Sequence, residues 1–246
     1  MSRRIAALAV LALSLPAAET IVADLRFSGG IAPLPDEATG TYLDVGATVP
    51  PGVVSGSPRI DTYEQDATAF AFDISVTHGT LAPFGLLYGG SLRYCNGEMQ
   101  LESIAYPDSN IVDTAAEFEA QGYQVDSDSW ATIGLAGHLG LGWAITPEWH
   151  LEAVGILGVD WVTIDTFSVV TGSSETYANE GRGLGWTWGG RFGAYWTDPE
   201  TSWQFGALAE WTTTEGTVKT DYADNSVEFD AEAAGLGLRV VIGRRF

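Results

Sequence analysis

Cysteine is nearly missing from this chain. Cys95 stands alone among 246 residues, so no internal disulfide can cross-link the fold, and an exported protein with this composition must be stable without one. Nor is a catalytic thiol indicated, because no paired His and Asn signature accompanies it. Histidine is scarce, with three copies at 78, 138 and 150, and Lys and Arg number 11 against 32 acidic residues, for a net charge of −21. That balance excludes nucleic acid as an expected partner. Also missing is an unbroken apolar run suited to a membrane helix, which needs roughly 20 residues. The nearest, SWATIGLAGHLGLGWAITP at 129–147, contains Gly134, Gly137, Gly140 and Gly142, each costing about 1 kcal/mol against Ala in a helix.

What is present begins with a leader. Arg3 and Arg4 precede an uncharged run from Ile5 to about Leu15, followed by small residues. This is the pattern of a secretory signal, expected over residues 1–20 with cleavage between about 17 and 23. Its loss leaves one domain, 21–246, and takes away the two positive charges of Arg3 and Arg4. No cofactor or metal motif is found in it.

Alternation carries the fold. TSWQFGALAEWTTT places Trp203, Phe205, Ala207, Ala209 and Trp211 on one face, with Gln204, Gly206, Leu208, Glu210 and Thr212 opposite. WHLEAVGILGVDWVT separates Trp149, Leu151, Leu157, Val159 and Trp161 from His150, Glu152 and Asp160. A period of two is the signature of strands. At ~3.3 Å per residue and a tilt near 40°, the steps from Trp203 to Trp211 and from Trp149 to Trp161 cover roughly 20–30 Å, bracketing an apolar band of about 25 Å. The spacing predicts two aromatic girdles, from Trp143, Trp149, Trp161, Trp186, Trp188, Trp196, Trp203 and Trp211.

Short turns at AITPEWH, WTDPETSW and HGTLAP alternate with longer acidic stretches near 96–128, 166–182 and 217–227. Short turns at one end and long loops at the other predict a closed antiparallel transmembrane β-barrel. Strands are expected near 66–78, 83–96, 129–145, 149–165, 183–197, 201–217 and 228–246. One earlier strand, at 20–28 or 41–49, brings the number to eight; ten would need both.

The inner faces then hold Asp73, Arg93, Glu152, Asp160, Arg191, Glu210 and Arg239, with Arg245 as a further candidate. Counting from a turn near 199–200 sets Arg191 opposite about 208 and makes Glu210 a diagonal neighbour within reach. An eight-stranded interior is just wide enough for side chains to fill it, so paired charges are expected to plug the lumen. His138 is expected to face inward and be hydrogen-bonded, while His78 and His150 fall at the short-turn end. No histidine reaches the outer rim, so the chain is read as non-enzymatic.

The chain ends on AAGLGLRVVIGRRF, in which Phe246, Ile242, Val240 and Leu238 share a face. With the leader, the girdles and about eight strands, this resembles the small outer-membrane β-barrel superfamily that includes the OmpA transmembrane domain and the OmpX and OmpW types. The resemblance implies that the last strand, ending in Phe246, is an assembly signal for the barrel-assembly machinery. It also implies a cell outer-membrane location, with outer-membrane lipid and lipopolysaccharide as surroundings. Arg244 departs from the pattern, where an apolar or aromatic residue is preferred; at the rim it can snorkel.

Two functions are expected: a structural or surface-interaction barrel with acidic external loops, and, as the alternative, a narrow porin-like channel for small polar or cationic solutes. The acids of 96–128 (Glu98, Glu102, Asp108, Asp113, Glu117, Glu119, Asp126 and Asp128) lack calcium-loop spacing, so only weak divalent-cation binding is expected there.

Overall fold

A computed structural model describes residues 21–32, 37–43, 58–65, 69–81, 84–109, 111–120, 123–125, 128–170, 176–222 and 225–246. The leader expected at 1–20 lies outside the described residues. In chain order the strands are β1 (Ile21–Ala32), β2 (Glu37–Leu43), β3 (Pro58–Gln65), β4 (Ala69–Thr80), β5 (Gly85–Tyr106), β6 (Ile111–Thr114), β7 (Tyr123–Val125), β8 (Asp128–Ala144), β9 (Trp149–Val170), β10 (Thr176–Thr197), β11 (Trp203–Tyr222) and β12 (Asn225–Arg245). A short α-helix, α1 (Ala115–Ala120), follows β6. Thr114 caps it: its hydroxyl accepts from the Glu117 N–H, and the Glu117 carboxylate accepts from the Thr114 N–H, which is a reciprocal capping box.

Eight of these strands close a ring in the order β1, β4, β5, β8, β9, β10, β11, β12, each antiparallel to the next. Pairing of β12 back onto β1, from Asp24↔Arg245 to Ile31↔Leu238, completes it. Closure leaves the ring without a free edge. Of the two early candidates, 20–28 enters the ring as β1, whereas of 41–49 only 41–43, the end of β2, fall among the described residues. β1 pairs β4 from Ile21↔Thr80 to Ala32↔Ala69, and β2 pairs β3 from Glu37↔Glu64 to Leu43↔Pro58, on one unbroken register. β2 likewise continues β1 along β12. The second pair stacks end-on above the first, so the count stays at eight rather than ten.

The long loops expected at 166–182 and 217–227 are largely strand. β9 reaches Val170, β10 starts at Thr176, β11 reaches Tyr222 and β12 starts at Asn225. Similarly β5 runs on through 96–106. The 22 residues of β9 rise roughly 50 Å along the axis at a tilt near 40°, about twice a membrane's apolar band. The barrel therefore has a lower half and an outer half of similar height.

The lower rim carries the short turns and both ends of the ring. Asp198 organises one turn: its carboxylate accepts from the Thr201 hydroxyl and, at 3.2 Å, from the Glu200 N–H. These bonds hold its carboxyl below the usual carboxylate range. Ser202 closes the turn with φ of 62°, and its carbonyl accepts from the Arg245 N–H at 2.9 Å. The Phe246 N–H in turn donates to the Ala23 carbonyl at 3.0 Å, sewing the chain end to β1.

No helix among the described residues is long and apolar enough to cross a membrane; the exposed apolar surface lies on strands. Around the lower half Phe27, Phe72, Ile74, Leu92, Leu135, Leu139, Leu157, Phe192, Leu238 and Val240 point outward. This is the surface of a transmembrane barrel.

Candidate functional site

The lower interior is polar because lipid-facing and lumen-facing positions alternate: once the odd positions of β1 (Phe27) and the even ones of β4 (Phe72, Ile74) meet lipid, their neighbours Asp24, Arg26, Asp73 and Ser75 must point inward. The lumen is filled in layers.

At the bottom Val22, Leu81 and Leu87 form an apolar plug, with Ala144 against it. Gly142 of β8 makes room for it, since a Cβ there would press on the Leu81 and Leu87 side chains.

Above lies a charged network on five strands. Arg26 of β1 reaches across to Glu152 of β9 in a bidentate pair, both bonds 2.6 Å, and also meets Asp24 at 2.6 Å. Its Nε donates to the Gln204 carbonyl at 3.0 Å, and the Gln204 amide donates to Asp24 at 2.9 Å. Arg245 donates to both Asp24 oxygens at 2.9 and 3.0 Å. The Arg26 guanidinium lies 4.1 Å from the Tyr195 ring centre, and His150 stacks on the same tyrosine. Asp24, His150 and Glu152 are close enough to hold a cation. Both carboxylates, however, are already occupied by Arg26 and Arg245, so a metal would have to displace two guanidinium groups.

The next layer centres on Glu210, which is fully buried. Arg191 bonds one of its carboxylate oxygens, with the closest approach 2.7 Å; Arg93 and Arg239 bond the other at 2.7 and 2.8 Å. Arg191 also approaches Asp73 of β4 at 3.5 Å across the lumen. The strand register pairs Arg191 directly with Glu210, not with 208. The turn is centred later than 199–200: Thr197 pairs Gln204, leaving 198–203 as the connection. His138, also inward, meets the Thr77 hydroxyl at 3.1 Å.

Higher still, Asp160 accepts from the Thr187 and Thr214 hydroxyls. It packs against Gly134, whose missing side chain leaves space for the carboxylate. Above this the interior turns apolar: Trp130, Val162, Ile164, Met99 and Val218 are buried. An extra residue in β5, between Leu101 and Ser103 where these pair Tyr63 and Thr62, then switches the parity of β5 so that Ile104 and Tyr106 also point inward.

Thus Asp73, Arg93, Glu152, Asp160, Arg191, Glu210 and Arg239 all face the lumen, in three groups: Glu152 below, Asp160 above and the other five between. Arg245 belongs to the lower group. His150 lies at the short-turn end as expected, as the second residue of β9, and its side chain is buried beside Glu152 at 3.3 Å. The sequence reading missed Asp24, Arg26, Tyr195 and Gln204. Alternation in β1 marks the first two, since Val22, Asp24, Arg26 and Ser28 oppose Leu25 and Phe27, but only once β1 is known to belong to the ring.

On the outer surface Trp143, Trp149, Trp196 and Trp203 ring the lower rim, with Trp196 paired to Trp149 and stacked near Phe205. Trp161, Trp186, Trp188 and Trp211 lie higher, Trp188 and Trp211 in edge contact at 5.3 Å. Phe246, Ile242, Val240 and Leu238 are exposed along the lipid-facing side of β12. Arg244, on that same face, lies 5.8 Å from the Phe246 ring.

The sequence matches no protein-family model and no curated protein. Solved structures similar to it are outer-membrane β-barrels. The outer membrane protease OmpT from Escherichia coli is 8% identical, with a TM-score of 0.43 over 92% of this chain and 97% of that one. Ail, the attachment invasion locus protein of Yersinia pestis, is 13% identical, with a TM-score of 0.33 over 91% and 99%. The Pseudomonas putida toluene transporter TodX is 8% identical, with a TM-score of 0.25 over 97% and 92%. Likeness at this level transfers neither activity nor ligand.

Proposed function

We propose that the chain is an integral bacterial outer-membrane barrel acting as a sealed scaffold, whose tall outer half presents an acidic, strand-built surface outside the membrane. The observation that carries this reading is the filled lumen: an apolar plug, two charged layers that cross the interior and an apolar top succeed one another along the axis. The reading includes export through a cleaved leader, recognition of the last strand by the barrel-assembly machinery, and lipopolysaccharide and outer-membrane lipid against the tryptophan belts. Exposed acids on the outer half make weak divalent-cation binding part of it.

The proposed role is non-catalytic. His138 is buried against Thr77, His150 is held between Glu152 and Arg245, and His78 faces outward against Tyr88. None of these imidazoles is placed to activate a nucleophile at an open surface.

Planar-bilayer recording of the refolded 21–246 protein tests the seal. Insertion is verified by the change in gel mobility on boiling that a closed barrel gives. Silence from inserted protein is expected. Steady ohmic openings, altered by Glu210→Ala, would overturn the sealed lumen and favour the narrow channel for small polar or cationic solutes.

A further inference from the structure

The layer around Glu210 is incompletely satisfied. Three guanidinium groups, from Arg93, Arg191 and Arg239, share Glu210, and the one other carboxylate bonded to them, Asp73, touches Arg191 alone. Among the described residues, Arg239 Nε and Nη1 and Arg93 Nη1 are buried with no acceptor. Arg239 is 4% exposed. An arginine cannot relieve this by losing a proton, because guanidinium stays charged in proteins.

Both arginines line a cavity of about 30 Å³, together with Thr132, Thr212, Cys95 and Asp160. That is room for about two waters or one small ion. Asp160 does not answer the arginine donors: one of its oxygens accepts from Thr187 and Thr214, and the other packs at Gly134. Water would supply acceptors but no charge; of the three carboxylates about these guanidinium groups, Asp73 bonds Arg191 alone and Asp160 is held by threonine hydroxyls, so Arg93 and Arg239 share Glu210. A monoanion supplies both the acceptor and the charge.

We propose that this cavity binds one small monoanion of chloride size, held by Arg93 and Arg239 with the Thr132 and Thr212 hydroxyls beside it. The site does not depend on whether the barrel conducts; it makes halide a structural component of the lumen.

Crystals of the detergent-solubilised barrel grown in sodium bromide, measured at the bromine edge, should show an anomalous peak within hydrogen-bonding distance of both arginines. In solution the melting temperature should rise with chloride when sodium chloride replaces sodium gluconate at fixed ionic strength. Arg239→Gln should abolish that rise, and Arg93→Gln provides the same test should the first variant fail to fold. Absence of a bromide peak overturns the proposal. So does a peak without chloride-dependent melting, which is binding at crystal concentration only, or a chloride response unchanged in the variants.

Discussion

On β9 the residues below Trp161 put Leu157 and Val159 outside and Glu152 and Asp160 inside, whereas above it Thr163 and Asp165 turn outward while Val162 and Ile164 fill the interior. β11 repeats the change: Phe205 and Trp211 outside against Glu210 inside, then Glu215 and Lys219 outside against Val218 inside. The strands and their register continue through the switch; only the medium outside differs. In the lower half lipid solvates the outer surface and the interior is built of paired charges. The outer half, standing in water, must bury its apolar residues as a soluble barrel does. One ring of strands thus has two opposite ways of being stable.

The sharpest way to break this contrast is to remove the acid at the centre of the lower half. Glu210→Ala leaves Arg93, Arg191 and Arg239 without their shared partner. Truncating one member of a buried charge network typically costs about 3–5 kcal/mol. Urea unfolding of the barrel in lipid vesicles should show a loss of that order. A cost below about 1 kcal/mol, the level of an exposed ion pair, would mean that water solvates the layer. The lower interior would then be a hydrated pore, with no dry network to contrast with the outer core.

A smaller effect sharpens where the halves meet. Leu135 projects from β8 into the apolar belt, 68% exposed, while Glu215 projects from β11 above Trp211. Leu135→Arg should destabilise by about 2–4 kcal/mol, the cost of a cation at mid-bilayer on a lipid face. Glu215→Arg should stay within about 0.5 kcal/mol, as surface changes do. The same vesicle assay compares them, and equal costs would move the lipid boundary away from the upper tryptophans.

This polarity switch also explains what the sequence could convey. The lower half was legible because tryptophans and aliphatics at every second position mark its outer face, and the residues between them, Asp73, Glu152 and Glu210 among them, then fall inward by parity. The outer strands read as loops in sequence because beyond Trp161 and Trp211 the apolar face changes sides and shortens to Val162, Ile164 and Val218. An apolar-outside criterion stops there although pairing does not. The lower network around Arg26 was hidden for a different reason. Its members come from β1, β9, β10, β11 and β12, and strand alternation says which side a residue faces but not which residues meet across a lumen. The direct opposition of Arg191 and Glu210 depended likewise on the length of one turn.

That turn supplies the smallest test, because it asks whether the lower rim is held by local bonds as well as by the network above it. Asp198 is exposed, and its carboxyl is held below the usual range first by the Thr201 hydroxyl and then by the Glu200 N–H. A carboxyl lowered on folding stabilises the folded turn at pH values above its unfolded pKa, and that contribution is lost as pH falls through the folded value. Acid should therefore loosen this turn only below the pH at which an ordinary aspartate protonates. Carbon-13 titration of the labelled carboxyl should give a midpoint below that of an unrestrained aspartate, and Thr201→Val should return it most of the way. An ordinary midpoint, indifferent to Thr201→Val, would show that the rim owes its order to the strands alone. The Ser202 carbonyl that receives the Arg245 N–H would then be positioned by the barrel above it rather than by the turn.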